Sequence, residues 1–166
     1  VKVVNDDAFT HVRDSKATYD VVLVDLVDPS NEKLAKLYST EFYRNVEARL
    51  ASEGVMVTQA TSTFFSPHAF STVASTVAAA QPDRKILPFS TNVPSFGEWG
   101  FVLSTKTPQN LISQPLPKGL TYQDPKTLEF IMRTKPARTE TMEPSTLLHP
   151  RIVEVYNRDM RQWRYY

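Results

Sequence analysis

The run Val21-Val22-Leu23-Val24, closed by Asp25 and followed by Asp28-Pro29-Ser30-Asn31, constrains this chain more than any other feature. Four successive branched or aliphatic residues without polar alternation suit a strand covered on both faces in a parallel sheet. The Asp-Pro-Ser-Asn string is a turn signal. Beyond it, Leu34, Leu37, Tyr38 and Phe42, then Val46 and Leu50, keep helical spacing. This predicts one helix, or two short ones broken at Ser39-Thr40, with Gly54 as the C-terminal cap. Val55–Gln59 is the next short strand.

The flanks extend the pattern. Val1–Val4 reads as a strand ending at Asn5-Asp6-Asp7, Phe9 and Val12 as a short helical turn, and Lys16–Asp20 as a polar loop. Ser66-Pro67 has the form of an N-cap followed by proline at the first helical position. Phe70, Val73, Ala74 and Val77 supply that helix's buried stripe. Ile86–Phe89 reads as a strand whose Pro88 favours a sheet edge. Asn92–Trp99 is a loop, and Phe101–Thr105 a strand antiparallel to its predecessor. After Thr107, repeated prolines predict extended loops joining short helices near Pro125–Thr134 and Pro150–Trp163. The order strand, helix, strand, helix, strand, strand predicts an α/β fold, an open sheet with an antiparallel edge hairpin. A chain that opens in mid-strand is expected to be a piece of a longer one.

Composition narrows the chemistry. The 166 residues suit one domain with a real core. Cysteine is absent, which excludes disulfides, thiolate metal sites and a Cys nucleophile. No stretch approaches the roughly 18 apolar residues of a membrane helix. A net charge of +1 gives no long-range field toward nucleic acid. Residues 1–60 carry 7 Lys+Arg against 10 Asp+Glu, whereas residues 61–166 carry 12 against 8. The acidic part is therefore the better place to seek a cation site.

Ligands in open α/β sheets bind beyond the carboxyl ends of the parallel strands. Three predicted strands end in Asp7, Asp25 and Gln59, so their side chains are candidates to line one rim; each also suits a turn or cap. Within Asp25-Leu26-Val27-Asp28-Pro29, two carboxylates three residues apart follow a buried strand, and Pro29 restricts the backbone. Such a notch suits a cationic amine first and a divalent metal second, because a metal wants more oxygen ligands. His11, His68 and His149 share no metal spacing. A G-x-S-x-G elbow, a Walker loop and a G-x-G-x-x-G are absent. Arg158, Arg161 and Arg164 among Trp163, Tyr165 and Tyr166 read as a docked amphipathic tail.

In order along the chain, Asn5-Asp6-Asp7-Ala8-Phe9, Tyr19–Pro29, Leu37-Tyr38, Glu41-Phe42-Tyr43, Gly54-Val55, Gln59 and Val93–Phe101 resemble the second half of the spermidine synthase catalytic domain. The resemblance covers about residues 1–105. Its Pro94-Ser95-Phe96-Gly97-Glu98-Trp99-Gly100-Phe101 form is most similar to long bacterial variants with a membrane domain ahead of the synthase domain. It implies a truncated Rossmann-like sheet of the nucleoside-dependent methyltransferase type. Residues 1–106 would be the C-terminal part of an aminopropyltransferase catalytic domain, and 107–166 an extension packed on it. It implies aminopropyl transfer from decarboxylated S-adenosylmethionine, a co-substrate, to putrescine or a similar amine, with no cofactor and no metal.

Carried over residue by residue, the resemblance makes Asp25 the general base, with Asp28 and Gln59 holding the amine. Asp7, Ala8 and Pro29 contact the nucleoside. Phe96 stands where a tyrosine is usual, which opens the question of amine specificity. The family's glycine-rich loop and ribose-holding acid would lie upstream of Val1, so the chain alone is expected to be inactive. A homodimer, a cytoplasmic location and a membrane domain in the parent chain are further expectations, with no nucleic-acid partner. Two other readings stay open: a related S-adenosylmethionine-dependent methyltransferase, and a non-catalytic assembly or sensing domain of a membrane protein.

Overall fold

The computed structural model describes residues 1–107, 118–120, 124, 126–127, 130 and 140–163. Helix α1 (Ala8–Asp14) leads into strand β1 (Tyr19–Val24). Helix α2 (Glu32–Ala35), a 3-10 turn (Lys36–Tyr38) and helix α3 (Thr40–Glu47) follow. Strand β2 (Leu50–Ser62), helix α4 (Pro67–Ala80), strands β3 (Lys85–Val93) and β4 (Gly97–Thr105), and helix α5 (Arg151–Arg161) complete the order. The sheet runs β1-β2-β4-β3, with β1 parallel to β2 and the β3–β4 hairpin antiparallel on the far edge. This is the expected open sheet with an edge hairpin. Pro88, which has no N–H to give a ladder, sits on edge strand β3.

Helices cover one sheet face. Met56, Thr58 and Ala60 of β2 and Val102 of β4 point into it, against Tyr43 and Val46 of α3 and Phe70, Val73 and Val77 of α4. The break between the helices falls where the sequence predicts it. Ser39 is extended, and its hydroxyl accepts from the Phe42 N–H, capping α3.

Several expectations need correction. Val1–Val4 forms no strand: it is exposed and has no ladder partner among the described residues. Strand β1 is a sheet edge with one face open, so Val21 and Leu23 are 55% and 74% exposed; the unbroken apolar run overstates its cover. It also begins earlier than predicted, at Tyr19, where pairing with Leu50 extends the ladder into the polar segment. Gly54 caps nothing, because α3 ends on Ala48 and Gly54 lies inside β2. There a Cβ would stand 2.9 Å from the Tyr19 carbonyl oxygen, so close strand approach explains the glycine. The Asn92–Trp99 loop shrinks to a tight turn, since β3 and β4 pair as far as Val93 and Gly97.

The C-terminal part docks through polar contacts that α4 offers. The backbone N–H groups of Glu140, Met142 and Ser145 donate to Ser71, Ser75 and Thr76 hydroxyls along α4, and Thr40 N–H donates to Ser145 O. This strap delivers α5, whose Ile152 is fully buried. Ser66 precedes α4 but its hydroxyl does not cap it, donating instead to Ser62 O and Thr61 Oγ1. The cap comes from α5: buried Asp159 accepts from the N–H groups of His68 and Ala69 and pairs with His68 Nδ1 at 2.8 Å. Helix α5 is therefore docked on the domain. The helix predicted near Pro125–Thr134 falls largely outside the described residues, as do Arg164, Tyr165 and Tyr166. Among the described residues, no helix is long and apolar enough to cross a membrane.

Candidate active site

Strand β1 stops at Val24 because the ladder with β2 ends there, opposite Thr58. The chain then turns through Asp25–Ser30, and a cleft of about 640 Å³ opens at this carboxyl end. Asp25, Asp28 and Gln59 line it together. Its remaining wall is apolar and aromatic, with Leu26 and Val27 from the loop, Val57 from β2, and Phe96, Trp99 and Phe101 from the hairpin. Of the three residues expected on one rim, Asp25 and Gln59 meet here and Asp7 does not, and Asp28 joins them from the turn.

Asp7, Ala8 and Pro29 stand outside that lining. Asp7 is the N-cap of α1, accepting from Thr10 N–H, and its other oxygen takes the Lys36 ammonium at 2.6 Å. The Lys36 contact, with the Thr10 N–H behind it, pulls the Asp7 carboxyl down to about 2. Ala8 opens α1. Pro29, within the turn itself, is buried.

The loop carrying the two carboxylates is tied from three directions. Buried Tyr38 donates its hydroxyl to Val27 O at 2.8 Å. Gln59 Nε2 donates to Leu26 O and to the Tyr38 hydroxyl, both at 2.6 Å. From α5, Tyr156 donates its hydroxyl to Asp28 Oδ2 at 2.9 Å, and Asn157 Nδ2 donates to Ser30 O. Burial pushes the Asp28 carboxyl above the ordinary carboxylate range, against the Tyr156 hydrogen bond and the nearby Gln59 amide, which pull it down. Burial also raises the Tyr38 and Tyr156 phenols, so both remain donors at neutral pH.

Gln59 is more constrained than its sequence position suggests. Its oxygen accepts from Thr61 N–H at 2.9 Å and from Trp99 Nε1 at 3.2 Å. With two hydrogens and two lone pairs engaged, the amide makes four protein hydrogen bonds. A β-bulge makes this geometry. Between the pairs Gln59–Phe101 and Ser62–Trp99, β2 holds one residue more than β4. Thr61 absorbs the extra residue at φ 67°, a left-handed conformation that a buried β-branched side chain rarely adopts. The hairpin turn is set likewise. Ser95 at φ 78° and the Phe96 N–H to Val93 O bond place Phe96 against Trp99, with ring centroids 5.3 Å apart.

Sequence reasoning did not single out Tyr38, Trp99 or Tyr156. Tyr38 reads as one more apolar position on a helix, and Trp99 as part of a loop. Tyr156 lies 128 residues from its carboxylate, with no local signal to connect them.

A profile of the "Spermine/spermidine synthase domain" matches residues 1–114. Polyamine aminopropyltransferase 1 of Streptomyces coelicolor is 40% identical over 99% of this chain and 31% of its own length. The polyamine aminopropyltransferase of Corynebacterium efficiens is 39% identical over 98% of this chain and 32% of its own. This chain therefore spans about a third of the length of these curated relatives. A crystal structure of spermidine synthase in complex with the transition state analogue AdoDATO superposes with a TM-score of 0.65 at 20% identity, covering 80% of this chain and 47% of that one. The mixed four-stranded sheet is accordingly that of a methyltransferase-like Rossmann fold.

Proposed function

The chain belongs to the spermine/spermidine synthase family, and from that premise we propose that its cleft takes a diamine for aminopropyl transfer from decarboxylated S-adenosylmethionine. The observation that carries this reading is the meeting of Asp25 and Asp28 in one cleft with an apolar, aromatic wall. A diamine has the same distribution, with cationic ends and a hydrocarbon middle.

The chemistry asks little of the electrophile. The sulfonium carbon is already activated, and methylthioadenosine leaves as a neutral thioether. The amine needs help, because a primary amine near pKa 10 is protonated at neutral pH. Asp25 accepts the ammonium proton, the freed nitrogen attacks the carbon beside sulfur, and the carbon–sulfur bond breaks with its electron pair on sulfur. Asp28 holds charge and orientation, and holding nitrogen near the reacting carbon supplies the remainder. Asp7, Ala8 and Pro29 remain candidates for the nucleoside side. The reading needs no metal or organic cofactor.

In this proposal residues 1–106 belong to the catalytic domain and 107–166 are an extension that supports it. The open β1 edge among the described residues supports a homodimer. A cytoplasmic setting suits two dissolved, charged substrates, with any membrane domain lying elsewhere in the protein. The paired carboxylates favour a cationic acceptor over a methyltransferase reading. The test is Asp25→Asn in the intact protein. Transfer falls about 10²–10⁴-fold, the range for removing a general base, while nucleoside binding measured by calorimetry persists. Normal turnover by this variant would remove Asp25 from the base role.

A further inference from the structure

The Asp28 carboxylate is held by a hydroxyl from a distant part of the chain. Helix α5 lies over the loop because the strap along α4 and the Asp159 cap fix it there. Tyr156 faces the loop one turn from buried Ile152, and its hydroxyl reaches Asp28 Oδ2 at 2.9 Å. One residue on, Asn157 ties Ser30. No other side-chain hydroxyl bonds this carboxylate among the described residues.

A carboxylate that binds an ammonium must present an oxygen in a fixed direction. Asp28 is joined to the loop by a short side chain with two rotatable bonds. Gln59 and Tyr38 fix the backbone at Leu26 and Val27; the Gln59 amide lies near enough to favour the charged carboxylate, but both its hydrogens go to Leu26 O and the Tyr38 hydroxyl, so it does not set the direction of the carboxyl plane. The Tyr156 hydroxyl takes one oxygen in a charge-assisted bond and so fixes that plane.

We propose that Tyr156 is a positioning residue for the amine site, holding Asp28 so that the C-terminal helix sets the affinity for the diamine. This rests on the aminopropyltransferase reading above. It makes α5 part of the substrate machinery, although α5 contributes nothing to the sheet and does not line the cleft. Burial works in the same direction: a carboxyl pushed upward by desolvation stays ionised at neutral pH more readily with a hydroxyl donor bound to it.

The experiment uses the intact protein with Tyr156→Phe, which keeps the ring and removes only the hydroxyl. Transfer kinetics with putrescine as the varied amine are expected to show KM raised about tenfold, the scale of one hydrogen bond to a charged group. The kcat and the KM for the nucleoside should stay within about twofold, a split that general loosening of the helix would not produce. In an Asp28→Asn background the same substitution should add less than about twofold, because the hydroxyl acts through that carboxylate. Putrescine titrations by calorimetry, with thermal melts to check folding, give an independent readout. An unchanged KM and unchanged putrescine affinity in Tyr156→Phe overturn the inference while wild-type transfer leaves the functional reading standing. A full penalty that persists in the Asp28→Asn background overturns it as well. Wild-type protein that neither transfers an aminopropyl group nor binds putrescine removes both the reading and the inference.

Discussion

Replacing Gln59 by glutamate separates two roles for this side chain, a ligand with spare capacity or a strut already fully used. The substitution is isosteric, so packing is preserved and only hydrogen-bond polarity changes. In the wild type, Nε2 donates to Leu26 O and to the Tyr38 hydroxyl, both at 2.6 Å. A glutamate oxygen at that position confronts the Leu26 carbonyl with a second acceptor. The Tyr38 hydroxyl can turn to donate to it, but then Val27 O loses its donor. Each buried acceptor left without a donor costs about 1–3 kcal/mol. Protonation of the new carboxyl restores one donor, and a site only 4% exposed favours that protonation. One acceptor then remains without a donor, so the net cost is about 1–3 kcal/mol. Taking about 2 kcal/mol against a urea m-value of about 2 kcal/mol/M, the unfolding midpoint falls by about 1 M. Urea unfolding of the intact protein followed by the fluorescence of Trp99 and Trp163 measures this, and putrescine affinity should fall as the Leu26–Val27 backbone is released. A side chain with spare capacity would behave oppositely: a new negative charge about 4 Å from an ammonium adds about 1–4 kcal/mol of attraction. Gln59→Glu protein as stable as wild type and tighter for putrescine would refute the strut argument.

Asp7 has a depressed carboxyl, about 2 against an ordinary 3.8, and the Lys36 ammonium is the first cause. A lowered folded-state value stabilises the fold above the unfolded pKa of 3.8, and that contribution is lost as pH falls through about 2. Lys36→Met should raise the Asp7 carboxyl toward its ordinary value in an NMR titration; a curve that does not move would exclude Lys36 as the cause. The open β1 edge predicts self-association of the 166-residue chain, and Leu23→Lys should prevent it. Light scattering that finds a monodisperse wild-type monomer would dismiss the homodimer.

The elements visible in the sequence are those specified by contacts near in the chain. The split at Ser39 is written there because a capping serine and helical spacing are local facts. The β3–β4 hairpin is announced by Pro94 and Gly97. The differences between expectation and structure are equally physical. Val21–Val24 looks buried on both faces because sequence reports how apolar a strand is, not whether a second layer covers it. Gly54 looks like a cap because its place after a helical stretch is local, whereas its reason, the Tyr19 carbonyl against it, is a cross-strand contact. Ser66 does hold the N-cap position of α4 with Pro67 after it, but the group that accepts from the helix's first N–H donors is Asp159, which arrives from 91 residues away.

The candidate site divides along the same line. Asp25 is legible because strand ends in parallel sheets fall on one rim, and Asp28 because it follows in the same turn; Gln59 is placed on that rim although β2 runs on past it to Ser62. Their fixation was not legible. The loop is held through Tyr38 on the 3-10 turn, Gln59 beside a bulge strained at Thr61, and Tyr156 on α5, and only the first lies near it in sequence. A loop bearing two carboxylates gains electrostatic energy by splaying them apart, so a single anchor would let the notch open. Anchors on backbone, amide and carboxylate restrain different parts of the loop, and each comes from an element that packs for its own reasons. Precision in this cleft is thus a product of the whole fold, which explains why the two carboxylates lie in one short turn while the side chains that aim them run from Tyr38 to Tyr156.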